Sequence, residues 1–347
     1  MPGSSKRAEE ASMADDAVTR REFLSNVVGA GTLGAAGAAP DPRKTRSYNP
    51  DMEYRRLGRT NLMISAVSLG GHWKRIPYKP GTEEFKKNRR DVVYACLEHG
   101  INYVDACSRS EVLVYAEAVK GRREEIYFGF DSTGARDPKI AGSLEKLKEG
   151  FDETLKASGL DYVDLWRITI REHATRNTPE EIENVVAALE WAKRTGRARF
   201  TGISTHHRPW IAEAVAKYPQ LEVIVTPYAA GSKEKPVGSM FEAFRKYDVG
   251  FIGIKPFASG ALFASQGVPD SPTKQEDDER ARLALRYVLC CDVLAATIPG
   301  LITVDQVKNA AAAVRERRQF DEVESQRHRA AIEAMWNRLP PNYQWLR

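Results

Sequence analysis

From residue 52 onward, short apolar runs alternate with longer stretches of helical periodicity. The runs at 67–69, 103–105, 126–130, 163–168, 200–203, 223–226, 250–254 and 295–298 are of strand length. Helical patterns follow them at 88–98, 111–119, 143–158, 179–194, 209–218, 239–247, 277–289 and 304–315. Strand and helix repeated eight times over predict parallel strands closed into a (β/α)8 TIM barrel. The competing architecture is a doubly wound open sheet, but the G-x-G-x-x-G turn that should follow its first strand is absent. Before the first strand, Tyr54-Arg55-Arg56-Leu57-Gly58-Arg59-Thr60-Asn61-Leu62 reads as a short hairpin over the barrel floor, turning at Gly58 or Asn61. The barrel is expected over 52–319, and 320–347 reads as a charged helical tail containing Pro340-Pro341.

Composition narrows the class. The 347 residues are 42% hydrophobic and 29% charged, with a formal charge of +5, a globular balance with one large core. Lys and Arg are scattered, with no basic run interleaved with aromatics, so no nucleic-acid partner is expected and an anionic small molecule suits the charge. Cys96, Cys107, Cys290 and Cys291 show no C-x-x-C spacing, which leaves no zinc or iron–sulfur centre to expect. Adjacent Cys290-Cys291 on a helix point about 100° apart and suit a disulfide poorly.

Ahead of the barrel, Thr19-Arg20-Arg21-Glu22-Phe23-Leu24 sets an arginine pair before a weakly apolar, Gly/Ala-rich run at 27–39. Ala36 and Ala38 are spaced as a small-residue cleavage site, and Gly29, Gly31, Gly34 and Gly37 argue against a stable first helix. The segment resembles a twin-arginine export signal, with Met13 an alternative start. The resemblance implies a signal peptide over 1–39, a linker over 40–51, the twin-arginine translocation machinery as partner, and export to the periplasm or cell envelope. With no cysteine placed to take a lipid, no membrane anchor is expected after processing. Such export moves folded proteins, often ones already holding a cofactor.

In barrels of this kind chemistry gathers at the carboxyl ends of the strands. Those ends read Gly70-Gly71-His72, Asp105, Asp131, Thr169 with Arg171-Glu172, Ser204-Thr205-His206-His207, Tyr228, Lys255-Pro256-Phe257 and Pro299-Gly300. Because strand side chains alternate, Tyr103 shares a face with Asp105, and Arg167 with Thr169. An arginine facing a barrel interior needs counter-charges. Asp105 and Asp131, on the two preceding strands, are placed to supply them, so an Asp105–Arg167–Asp131 cluster is expected, either as a site or as a core network.

Several stretches carry a family resemblance: Tyr54-Arg55-Arg56-Leu57-Gly58-Arg59-Thr60, Val67-Ser68-Leu69-Gly70, Gly100-Ile101-Asn102-Tyr103-Val104-Asp105, Lys120-Gly121-Arg122-Arg123-Glu124-Glu125, Leu160-Asp161-Tyr162-Val163-Asp164-Leu165, Gly202-Ile203-Ser204 and Ile298-Pro299-Gly300. In this order, from about 52 to about 315, they resemble an aldo-keto reductase. Ile254-Lys255-Pro256-Phe257-Ala258-Ser259-Gly260 is similar to the family variant with lysine before the proline. The resemblance implies carbonyl reduction with NADP or NAD, a tyrosine donating the proton, a lysine lowering its pKa, an aspartate holding the lysine and a histidine orienting a small-molecule substrate. Asp105 matches the aspartate. Asp131 stands where the lysine is expected and Thr169 where the histidine is expected. The loop Ala106-Cys107-Ser108-Arg109 is about five residues shorter than the family's, and the tyrosine goes with it. Tyr115, a further tyrosine five residues into the next helix, reads as core packing. The altered catalytic set is therefore Asp105, Asp131, Arg167 and Thr169.

The resemblance also implies the cofactor contacts. Ser204 and Thr205 would meet the carboxamide, with Tyr228 on the neighbouring strand end. Lys255, Pro256, Phe257, Ser259 and Gly260 would cover the pyrophosphate. Gly300, Gln306 and Asn309 would hold the adenosine end. Val225 replaces the expected glutamine, and Leu301-Ile302 offers no cation for a 2′-phosphate, which leaves NAD and NADP both open. His206 and His207 read as helix-start residues more than ligands, His72 as closer to the pocket axis, Trp73 as a lid, floor or platform, and Arg171-Glu172-His173 as substrate contacts or an exposed charged loop. Three functions stand: an exported oxidoreductase with altered acid–base groups, acting on a carbonyl or sugar-like substrate; a silent barrel kept as a binding module; and a metal-assisted isomerase or hydrolase built from Asp105, Asp131 and a histidine.

Overall fold

The computed structural model describes residues 40–71, 75–131, 134–171, 177–232, 238–339 and 343. The export segment, His72, Trp73, Glu172 and His173 lie outside the described residues.

The leading hairpin is present, with β1 (Tyr54–Arg56) antiparallel to β2 (Met63–Ser65). Its turn passes through Gly58 and through Asn61, which is left-handed at φ 57°. Gly58 lies so close to the barrel floor that a Cβ there would sit 2.2 Å from the Gly250 nitrogen. Eight parallel strands follow: β3 (Leu69–Gly70), β4 (Tyr103–Ala106), β5 (Tyr127–Phe130), β6 (Val163–Thr169), β7 (Ala198–Ser204), β8 (Val223–Pro227), β9 (Gly250–Ile254) and β10 (Leu294–Ile298). Each pairs with its sequence neighbour, as in the six-position register from Val163↔Ala198 to Thr169↔Ser204. Val67 bridges Thr297, and the Ser68 N–H donates to the Thr297 carbonyl at 2.9 Å, which brings the first strand onto the last. The (β/α)8 TIM barrel expected from the eight repeats is the fold, and every expected strand overlaps one of these.

The helices described are α1 (Glu83–Glu98), α2 (Arg109–Ala118), α3 (Pro138–Ala141), α4 (Leu144–Ser158), α5 (Pro179–Arg194), α6 (Arg208–Lys217), α7 (Met240–Tyr247), α8 (Lys274–Val288), α9 (Val304–Arg315) and α10 (Glu322–Arg338). Their starts follow local chemistry. Thr178 caps α5 in a capping box with Glu181, and Pro179 fills the first turn where its missing N–H is harmless. Alternation along β6 sorts its residues: Trp166 and Ile168 join the layer under the helices, Trp166 stacking on Phe151 at 4.1 Å, while Leu165 joins the barrel interior. That parity delivers Arg167 and Thr169 inward. No helix among the described residues is long and apolar enough to cross a membrane.

Two segments outside the barrel are packed onto it. Residues 40–51 form an ordered strap. Thr45 donates to the Met63 carbonyl, Arg46 to the Ile126 carbonyl at 2.7 Å and Ser47 to the Glu125 carbonyl at 2.9 Å, while Asn102 reaches the Arg46 carbonyl. The C-terminal segment is helical as read, but α10 is packed rather than trailing: Ala331, Met335 and Trp336 share a core with Ala258, Leu262 and Ala284.

Candidate active site

At the carboxyl end of β4 and β6, Asp105 and Arg167 form a two-point ion pair. Arg167 Nε donates to Asp105 Oδ1 at 3.0 Å and Nη2 to Oδ2 at 2.5 Å, with both side chains at most 2% exposed. Burial works against the Arg167 charge, but the Asp105 carboxylate, with Cys107 and Asp131 adding to it, outweighs that and holds the guanidinium protonated well above the usual arginine range. Arg167 Nη1 donates to Thr169 Oγ1 at 2.8 Å. The expected three-member cluster therefore forms in a modified way: Asp131 is buried, and its Oδ2 accepts the Thr169 backbone N–H at 2.9 Å, bracing Thr169 from the other side.

Asp105 keeps two further partners. Cys107 Sγ lies 3.7 Å from Oδ2 and 3.0 Å from Arg167 Nη2, and the Tyr103 hydroxyl donates to Oδ1 at 3.3 Å from inside the barrel. Burial first, then the Asp105 charge, push the Tyr103 phenol well above its ordinary range, so it is no acid at neutral pH. The ring fits because residue 129 is glycine, where a Cβ would fall 2.0 Å from the Tyr103 oxygen. Among the described residues no lysine joins Asp105.

The short loop after β4 is tied down by two side chains. Ser108 caps α2, and Glu111, buried beneath the turn, accepts the Cys107 N–H at 2.6 Å. A Cβ at residue 71 would lie 1.9 Å from Glu111 Oε2, so Gly71 is required there. Tyr115 is core, as expected. Its hydroxyl donates to the Gly70 carbonyl at 2.6 Å, and burial pushes its phenol up.

One cavity of about 1070 Å³ opens over these groups, lined by Asp105, Cys107, Asp131, Arg167 and Thr169 at its base. Of the expected cofactor residues, Ser204, Lys255, Pro256, Phe257, Ser259, Gly260, Gly300, Gln306 and Asn309 line it. Thr205 and Tyr228 do not. Thr205 is buried in the turn, where its Oγ1 accepts the His207 N–H at 3.0 Å. Val223 and Val225 face the barrel interior, so strand parity sends Tyr228 outward against Phe241 and Phe251, each at 5.8 Å. The loop over the cavity is unusual: Lys255, Ala258 and Ser259 have φ of 59°, 48° and 58°, and Gly260 has φ 95° with its absent Cβ directed at the Gln266 carbonyl.

Sequence reasoning missed Cys107, His206, Asp305 and Tyr343 as lining groups. His206 is buried and lines the cavity rather than serving only the helix start; inward parity continuing past Ser204 was its signal. Tyr343 comes from the supposed tail, with the Lys255 ammonium 5.0 Å from its ring centre. Arg171, read as a substrate contact or part of an exposed charged loop, pairs with Glu181 at the start of α5. Among the described residues no three His, Cys, Asp or Glu side chains converge as a metal-binding group, and Arg167 engages both Asp105 oxygens.

A family model described as the aldo/keto reductase family matches residues 66–281. An L-galactose dehydrogenase of Arabidopsis thaliana is 25% identical over 290 residues, spanning 76% of this chain and 89% of its own. An aldo-keto reductase from Bacillus halodurans in its holo form superposes with a TM-score of 0.62 at 22% identity, covering 84% of this chain and 99% of that one. One from Klebsiella pneumoniae, solved with NADP and acetate, gives a TM-score of 0.62 at 17% identity, covering 81% and 95%. Structural likeness at such identities shows a shared fold.

Proposed function

This chain belongs to the aldo/keto reductase family of oxidoreductases, and from that premise we propose that it moves hydride between a nicotinamide dinucleotide and the carbonyl or alcohol carbon of a small, sugar-like substrate, with Arg167 and Thr169 serving where tyrosine and lysine are missing. The observation that carries this reading is continuity: one cavity runs from Asp105, Arg167 and Thr169 to the 255–260 loop and the first turns of α9. Its size suits a dinucleotide with a small substrate. Left-handed Lys255, Ser259 and Gly260 line the cavity, and their tightly turned backbone would meet a pyrophosphate there.

A bound nicotinamide supplies or accepts the hydride. Thr169 Oγ1 accepts from Arg167, so its own proton is left to donate into the cavity, to the substrate oxygen. As charge grows on that oxygen, a hydrogen bond backed by a buried guanidinium strengthens. Arg167 keeps its proton throughout, and water protonates the resulting alkoxide. Ser108, Asp131, Arg136 and His206 give the cavity a polar lining, and the L-galactose dehydrogenase among the relatives supports a polyhydroxylated substrate.

Fluorescence titration of the full chain with NADH and NADPH is the first test. Saturable binding upholds the proposal; no binding moves weight to a silent barrel acting as a binding module, and metal-dependent turnover to an isomerase or hydrolase. Thr169→Val then removes the donor at nearly constant shape. A drop of about 10²–10³ in kcat with an unchanged dinucleotide Kd is expected; an unaltered kcat removes Thr169 from the mechanism. Export of the chain by the twin-arginine route is part of the same proposal, on the strength of Arg20-Arg21 and the run that follows. Cell fractionation that finds the chain only in the cytosol would discard it.

A further inference from the structure

The cavity has two unlike ends. At the inner end lie Asp105, Arg167 and Thr169; at the outer end, the first turns of α9 face α8, contributing Asp305, Gln306 and Asn309 from one side and Lys274, Asp277 and Asp278 from the other. If the reacting ring lies over the strand ends, a dinucleotide laid along this cavity places its adenosine ribose at the outer end. NADP carries a 2′-phosphate there, and NAD a diol with two hydroxyl donors.

The outer end offers a phosphate little. Leu301 and Ile302 are apolar and buried, and their carbonyls accept from Arg89 at 3.0 and 2.8 Å, a guanidinium buried behind the turn. Gln306 Oε1 accepts the Ile302 N–H at 2.8 Å. Asn309 donates to the Asp278 carbonyl at 2.9 Å and accepts from Arg282 at 2.6 Å. Lys274 is bound to Asp278 at 2.7 Å, and Asp277 accepts the Ala264 N–H at 2.7 Å. Asp305, the second residue of α9, is exposed and forms no hydrogen bond or salt bridge among the described residues, while the nearby Lys274 ammonium, which feels its charge, is held by Asp278. With that cation already shared by carboxylates, Asp305 repels a phosphate dianion and accepts hydrogen bonds from a diol.

We infer that this end of the cavity selects NAD(H) over NADP(H), with Asp305 as the residue that receives the adenosine ribose. The inference rests on the nicotinamide reading above. Its test is a titration of the full chain, wild type and Asp305→Asn, with NADH and with NADPH, followed by energy transfer from tryptophan to the reduced nicotinamide. NADH is expected to bind at least about tenfold more tightly than NADPH to the wild type, and D305N to weaken NADH and narrow that ratio. Equal or tighter NADPH binding, or a ratio untouched by D305N, overturns the inference while leaving the nicotinamide reading intact. Failure of both dinucleotides to bind overturns that reading and the inference together.

Discussion

Two buried aspartates mark opposite ends of this barrel, and both are matched by arginine. On the floor, Asp164 is fully buried and takes Arg123 at 2.8 Å, Arg46 at 3.4 Å and Arg199 at 2.7 Å, together with the Phe128 N–H at 2.9 Å. All three of those guanidinium side chains keep some contact with water. At the mouth, Asp105 takes a single arginine, and Arg167 is sealed from solvent except through the cavity it lines. The floor cluster ties the strap at 40–51 and three strands together and lines no part of that cavity. The lesson is that a buried ion pair is not in itself a site. What distinguishes the mouth is a buried ion pair that lines a cavity.

The sharpest way to break this comparison is Asp105→Asn. It leaves Arg167 charged without its ion-pair partner, and unfolding in urea should show a loss of about 3–5 kcal/mol, largely restored by adding Arg167→Met. A loss under about 1 kcal/mol would mean that the mouth pair is as solvated as the floor. A third buried group sharpens the contrast from another side. His328 of α10 lies between Tyr287 and Phe320, at 5.2 and 5.0 Å, and burial, with the Arg286 charge added, lowers its pKa from 6.5 to about 4. Because the folded state disfavours the protonated ring, the full stability is present above pH 6.5 and falls as pH drops from 6.5 toward 4, by up to about 3 kcal/mol. Denaturation of wild type and His328→Leu at pH 7 and pH 4.5 should show a loss on acidification that is larger in the wild type by about 2–3 kcal/mol. The smallest effect is expected for Asp164→Asn, about 1–3 kcal/mol by urea unfolding, because its arginines can rehydrate. A larger loss than at Asp105 would reverse the ranking of the two ends.

Much of the fold could be read from the sequence because it is written in short-range periodicity: eight apolar runs, eight amphipathic stretches, and caps such as Thr178 with Pro179. Arg167 was legible for the same reason, since parity along one strand fixes which side chains face inward. The strap was not, because its anchors are backbone carbonyls at Met63, Glu125 and Ile126, which no residue letter announces. Tyr228 was misplaced by reasoning from resemblance where the parity of β8 decides. Cys107 and Tyr343 were missed for a shared reason. The walls of a cavity are set by loop lengths and by the docking of α10, both long-range properties.

The 255–260 loop has a consequence for how the molecule divides its stability. Lys255, Ala258 and Ser259 hold backbone angles that glycine would adopt without penalty, and each such residue costs on the order of 1 kcal/mol or more. A chain that keeps side chains at these positions forgoes thermal robustness in order to hold this part of the cavity wall in one shape. The ordering entropy a slack loop would lose at each binding event is instead met once, during folding.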